Sequence, residues 1–336
     1  MATYKGIQGY SVQTLASDPT PTGDYLGQLW YNTTSATWKI AIEGAGAWAS
    51  APNINLARSE FAGARAGTST AGLIFGGDAP PSTTPPGYCA ETELFNGTSW
   101  TEVADMTQVR AAQGSLGTQT AAMSISGNHP SPPNPNLTEI YNGTGWTEVA
   151  DLTTRRTYVG GAGTITAGLA ASGSGQVLNE EYNGTAWTEV ADVTTGRDGA
   201  GSAGATNTAA LIFGGSPPGG LVITEEWNGA SWTEVGDLNS GRGGAAVSFG
   251  TSTSAIMAGG HTGPTPSRSL LTEQYNGTAW TEVGDLAVGM RLGAGGGTAG
   301  VGNGLRAGGH PSAGGYSNTS ESWASPVVVV KTVTTS

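Results

Sequence analysis

Residues 91–106 read ETELFNGTSWTEVADM. The phrase returns as LTEIYNGTGWTEVADL from Leu137, NEEYNGTAWTEVADV from Asn179, ITEEWNGASWTEVGDL from Ile223 and LTEQYNGTAWTEVGDL from Leu271. Its first aromatics, Phe95, Tyr141, Tyr182, Trp227 and Tyr275, are 46, 41, 45 and 48 residues apart, and 48 more reach Trp323 inside SESWAS. Self-similarity at such a period marks stacked supersecondary units that share a core. In every full copy Asn-Gly stands between two alternating runs, which predicts a hairpin closed by a type I′ turn with positive φ at both central residues.

Ahead of each hairpin lies a second unit. It begins with an arginine (Arg58, Arg110, Arg156, Arg197, Arg242, Arg291) and continues with a strand rich in Gly, Ala and Ser, then a short turn and an apolar strand. That strand ends in a pair of glycines at Gly76–Gly77, Gly214–Gly215, Gly259–Gly260 and Gly308–Gly309, weakened to Ser126-Gly127 and Ser172-Gly173 in two copies. Each period therefore carries four short strands, the content of one propeller blade. Small residues suit inner strands that crowd an axis, and the Tyr and Trp suit the wider gaps between blades.

Arginine, glycine-rich strand, Gly-Gly pair, aromatic and Trp in this order resemble the kelch repeat over about residues 48–323. The resemblance implies an all-β fold, a six-bladed kelch-like β-propeller. It implies no particular activity, because kelch propellers serve many. The last period lacks a second hairpin strand in register, whereas Trp48 precedes Arg58 by the ten residues that separate Trp100 from Arg110 and Trp187 from Arg197. The segment around Trp48 is thus expected to supply the outer strand of the last blade, closing the ring and removing its free edges.

Three segments follow: residues 1–46, the propeller over 47–326 and a β-branched tail over 327–336. Residues 27–40, GQLWYNTTSATWKI, are similar to short hairpin modules near the N-termini of bacteriophage tail and virion proteins. That resemblance implies an N-terminal β-hairpin attachment segment, with Trp30, Tyr31 and Trp38 as candidate virion-attachment residues. The tail VVVVKTV at 327–333 is expected to pair with this hairpin or with a neighbouring subunit.

Composition narrows the chemistry. A net charge of −12 argues against binding nucleic acid. A single cysteine, Cys89, excludes an internal disulfide framework and a paired-thiolate metal site. The first residues lack the apolar core of a signal peptide, and the longest apolar run, Val327 to Val330, is too short to span a membrane. A copper radical oxidase on a kelch scaffold needs two His ligands and a Cys–Tyr cross-link. Here Cys89 directly follows Tyr88 in a Pro-rich loop, while His129, His261 and His310 fall at what read as equivalent positions of three separate blades. A sialidase needs an arginine cluster, whereas these arginines recur once per blade. Glu102, Glu148, Glu189, Glu234 and Glu282 and Asp105, Asp151, Asp192, Asp237 and Asp285 also recur once per blade, which reads as solvated charge and turn-forming Asp. Asn96, Asn142, Asn183 and Asn276 match a glycosylation acceptor, a match the turn itself explains. No catalytic residue, metal site or cofactor is expected.

What differs between copies is the distance from the glycine pair to the next aromatic, which runs 18, 14, 9, 12, 15 and 14 residues, whereas the Asn-Gly turn keeps its length. Strand alternation places those variable loops on one face. They include DAPPSTTPPGY at 78–88, NHPSPPNPN at 128–136 and HTGPTPSR at 261–268. Prolines limit the entropy lost on binding, and variable loops on a rigid scaffold are where recognition sits. Asp78, Pro81, Tyr88, His129, Pro133, His261, Arg268 and His310 are therefore the candidate binding residues. The expected function is that of a non-enzymatic phage virion structural protein, localised to the virion in several copies. Its partners would be other virion proteins or a host-surface glycan, with no nucleic acid and no membrane insertion. The alternatives are a free-standing bacterial kelch or lectin-like protein and a carbohydrate-active enzyme.

Overall fold

The computed structural model describes residues 13–20, 26–44, 46–80, 87–130, 136–216, 220–244, 247–262, 267–297, 302–311, 314–325 and 328–334. Contacts divide the chain into two units, Met1–Gly46 with Ser325–Ser336, and Ala47–Ala324. Among the described residues no helix is long and apolar enough to cross a membrane.

In the smaller unit Leu29–Asn32 and Thr37–Glu43 form the hairpin, with Tyr31 opposite Trp38 and their rings 5.4 Å apart. Gln13–Leu15, a strand unmarked in the sequence, pairs parallel to Leu29–Asn32. The C-terminal strand Val328–Thr332 adds antiparallel to Thr37–Glu43, opposing Val329 to Ile42, so both ends of the chain share one sheet.

The larger unit holds six antiparallel sheets among the described residues. The second is typical: Gly114–Thr118, Ala121–Ile125, Thr138–Tyr141 and Trp146–Val149, in chain order from inside to outside. In the sixth, Asn303–Pro311 and Ser317–Ala324 are completed by Ala47–Ala51, which sets Trp48 opposite Trp323. Every outer hairpin carries a stacked aromatic pair, from Phe95 and Trp100 at 5.0 Å to Trp48 and Trp323 at 5.5 Å. Buried clusters form between successive sheets: Phe75 and Leu73 of the first pack with Tyr141 and Trp146 of the second.

Close approach of the inner strands explains their composition. A Cβ on Gly161 would lie 2.1 Å from the Ser115 carbonyl oxygen of the preceding sheet, and one on Gly296 would lie 2.0 Å from that of Ala64. The ring closes through backbone hydrogen bonds. The second residue of each glycine pair donates to the carbonyl at the head of the following sheet: Gly77 to Arg110, Gly127 to Arg156, Gly173 to Arg197, Gly215 to Arg242, Gly260 to Met290, and Gly309 back to Arg58. These sheets set around an axis make a β-propeller.

Two expectations are corrected here. The hairpin turns are not type I′: only the glycines, such as Gly143 at φ 92°, have positive φ, and the Asn does not. Asn142 instead lends its Oδ1 to the backbone N–H groups of Thr144 and Gly145, and the glycine after it takes the left-handed conformation. The sixth arginine in register is not Arg291. Met290 takes the backbone place, and Arg306 supplies the guanidinium.

Candidate functional site

The repeated arginines face inward. Arg58, Arg110, Arg156, Arg197, Arg242 and Arg306 are fully buried and pair with Glu93, Glu139, Glu180, Glu225, Glu273 and Glu321 of the same sheets. Arg156 and Glu180 stand 2.7 Å apart, and Arg156 also donates to the Ser172 and Leu178 carbonyls. The other oxygen of each glutamate accepts a backbone N–H from the linker that leaves the preceding outer strand: Asn55, Thr107, Thr153, Thr194, Asn239 and Ala287. Each pair therefore ties two adjacent sheets. Burial pulls the Arg156 guanidinium below its usual range and the Glu180 charge opposes that. Asp105, Asp151, Asp237 and Asp285 accept from the Thr92, Thr138, Thr224 and Thr272 amides of the strand before the hairpin turn, a nonlocal contact rather than the local turn their sequence suggests.

With that chemistry committed to the scaffold, the unrepeated groups stand out at the rim where sheets change. Two residues past each head position the chain turns left-handed at Glu60, Ala112, Tyr158, Gly199, Gly244 and Leu292, with φ between 53° and 61°. Around the axis Glu60 donates its amide to Leu292, Ala112 to Glu60, Tyr158 to Ala112, Gly244 to Gly199 and Leu292 to Gly244, at 2.6–3.0 Å. Inside this collar lies an axial cavity of about 80 Å³, whose polar lining includes Glu60, Arg65, Gln113, Ser115, Tyr158 and Ser248. Arg65 crosses it from the first sheet, donating to the Ser115 carbonyl at 3.0 Å and the Ser248 hydroxyl at 2.8 Å. Burial among neutral groups lowers its guanidinium to about 10. Gln113 donates to the Phe75 carbonyl, while its buried Oε1 has no partner. Burial raises the Glu60 carboxyl above its ordinary range, opposed by a hydrogen bond from the Tyr158 hydroxyl.

The sequence-predicted residues separate into two groups on this rim. Asp78 accepts from the Tyr316 hydroxyl at 2.8 Å, and burial together with that bond pushes Tyr316 up to about 12. Tyr316 stacks on His310 at 5.1 Å, and His310 Nδ1 lies 2.6 Å from the Gly315 carbonyl. Tyr88 borders the same group, its hydroxyl raised by burial and by the Glu60 and Asp78 charges. His261 and Arg268 form the other group with Arg291. His129 is displaced by one residue from the position of His261 and His310. Asn128 holds that position, bridged to Ala111 as His261 is to Gly243 and His310 to Arg291, so the three histidines are not equivalent. Pro81 and Pro133 lie outside the described residues.

In the smaller unit Trp30 is buried and donates from Nε1 to Asp18 at 3.1 Å, whereas Trp38 is 43% exposed. Of the three attachment candidates, Trp30 is thus committed to its own sheet. Among the described residues no group of three His, Cys, Asp or Glu side chains is placed to hold a metal. Glu60, Arg65 and Tyr158 escaped the sequence reading, which took Arg291 only as the sixth repeated arginine. Aligning the copies on the head residue finds Glu60 and Tyr158 and moves Arg291 one place past the head: the head and next two residues read RSE, RAA, RTY, RDG, RGG and MRL.

No family model matches the chain, and no curated protein matches its sequence. Among solved structures the chain is similar to YjhT, with a TM-score of 0.65 and 13% identity over 83% of this chain and 99% of that one. This likeness, together with the ring of antiparallel sheets, establishes a β-propeller fold.

Proposed function

We propose that the chain is a non-enzymatic structural protein of a bacteriophage virion, a six-bladed kelch-like propeller displayed through an N-terminal attachment segment. It docks through its loop rim to other virion proteins or to a host-surface glycan. The observation that carries this reading is the division between what repeats and what does not. The repeated polar groups are engaged inside the ring, Arg with Glu and Asp with backbone amides, whereas the residues that vary from copy to copy gather on one rim. A rigid scaffold that presents variable side chains at one end is the usual geometry of recognition. The exposed Trp38 on the smaller sheet, in a segment resembling virion modules, supports display on a particle.

Electron micrographs of assembled particles, labelled with an antibody against this chain, test the proposal. Label at a fixed place on the particle surface is expected. Purified particles that lack the chain overturn the virion reading, and steady turnover of a sugar by the pure chain overturns the non-enzymatic one.

A further inference from the structure

Two guanidinium groups, Arg268 and Arg291, and the His261 imidazole gather beside the axial collar without a counter-ion. Met290 donates its amide to the Ser269 carbonyl, and a Cβ on Gly289 would lie 2.6 Å from the Arg268 carbonyl oxygen, so Arg268 and Arg291 come from segments packed side by side. His261 pairs with Gly243, and its Nδ1 lies 3.5 Å from the place a Cβ on Gly244 would occupy. Gly244 in turn accepts from Leu292, the residue after Arg291. Three guanidinium nitrogens of this cluster are buried with no hydrogen-bond partner: Arg268 Nε and Nη1, and Arg291 Nε. Among the described residues none of the three side chains forms an ion pair, and Glu60, the carboxylate whose charge Arg291 feels, stays beyond ion-pair distance.

Buried donors without acceptors are costly, charged ones most of all, and two guanidinium groups side by side repel. Burial and the Arg291 charge hold both His261 and Arg268 below their usual ranges. An oxyanion removes all of these penalties together, because its oxygens accept from both planar guanidinium forks and from the imidazole. The repeat does not require such a cluster: the head triplet is RGG in the fifth sheet and MRL in the sixth, so Arg291 is an addition peculiar to this seam.

We propose that His261, Arg268 and Arg291 bind an oxyanionic group, supplied by an acidic sugar. The sugar as source rests on the docking function proposed above, whereas the oxyanion site does not. The full chain, labelled with ¹⁵N-histidine, is titrated with sodium glucuronate, sodium sulfate and glucose while the His261 ring resonances are followed. Saturable shifts with glucuronate and none with glucose are expected, with Arg268→Gln and Arg291→Gln each weakening the apparent affinity by about tenfold, the loss of one charge-assisted hydrogen bond. Equal responses to sulfate and glucuronate keep the oxyanion site and overturn the sugar as its source. A response to glucose equal to that of glucuronate, no response to either anion, or shifts unchanged in both variants overturns the site. Because the wild-type titration alone decides the last but one of these, a variant that fails to fold leaves the test intact. Unchanged adsorption to host cells by particles carrying Arg291→Gln, with glucuronate binding weakened in the same variant, would count against the docking function alone.

Discussion

Arg156 and Glu180 show how the repeat uses its charge. Glu180 stands directly opposite Glu189 on the hairpin, and like charges in that relation repel, so the guanidinium beneath them is what lets the phrase keep both acids. Replacing Arg156 with Ala leaves a buried carboxylate unpaired and should cost about 3–5 kcal/mol, read as a lower urea midpoint at unchanged slope. The Arg156→Ala, Glu180→Gln double variant should recover part of the loss, and a single variant of wild-type stability would refute the tie. The recurring arginines were legible in the sequence, their partners less so: each phrase offers two or three glutamates, and which is buried follows from blade packing rather than from spacing. Cys89 makes a second point at this scale. It is buried, and desolvation pushes its thiol up to about 12, so thiolate is scarce near neutrality. Iodoacetamide at pH 8 should leave the native chain unlabelled and modify the urea-unfolded one, whereas rapid native labelling would place Cys89 at the surface.

At the scale of the element, the hairpin was visible in the sequence and its turn was not. Asn-Gly satisfies a type I′ turn, but it serves equally as an Asn acceptor followed by a single left-handed glycine, and strand register decides between them. With Tyr141 opposite Trp146, four residues bridge the strands and the Asn side chain must take up two amides. This distinction is testable. Glycine is welcome at either central position of a type I′ turn, so Asn142→Gly would be nearly neutral there. In the observed turn it removes two hydrogen bonds and adds backbone entropy to the unfolded chain, for a loss of about 1–2 kcal/mol in thermal or chemical unfolding. The rim followed the same pattern. Variable loops and the residues His261, Arg268 and Asp78 could be nominated from spacing, but Glu60 and Tyr158 reach the collar because the chain turns left-handed two residues past each head position, with Arg291 just before the equivalent Leu292, a backbone feature that composition does not mark. Alignment on the head residues, with Met290 where the others have arginine, was the one sequence signal for them.

For the whole molecule, stability depends on closing the ring with strands from opposite ends of the chain. Trp48 stacks on Trp323, its indole donates to Thr272 of the fifth sheet at 2.9 Å, and the Asn55 amide just beyond reaches Glu93 of the first. One short segment therefore touches three sheets, as the segment from Trp146 to Thr153 does through Thr92 and Glu180, but here it comes from the far end of the chain. Deleting residues 1–57 removes that segment, leaves Ser317–Ala324 as an open edge, strips Glu93 of a donor and takes away the first strands of the smaller sheet. Deleting residues 1–46 removes strands of the smaller sheet while keeping Ala47–Ala51, and so separates the two effects. The shorter deletion should keep a single cooperative transition in which circular dichroism and Trp fluorescence coincide, while the longer one should give a broadened transition at lower temperature with the two probes no longer coincident. The difference arises because each sheet is held chiefly by its two neighbours, so a ring with one incomplete sheet can fray from that seam while an intact ring must open everywhere at once. Equal thermal stability of the two deletions would mean that the ring is held without its closing strand, and the nonlocal pairing of Trp48 with Trp323 would then contribute little to the fold.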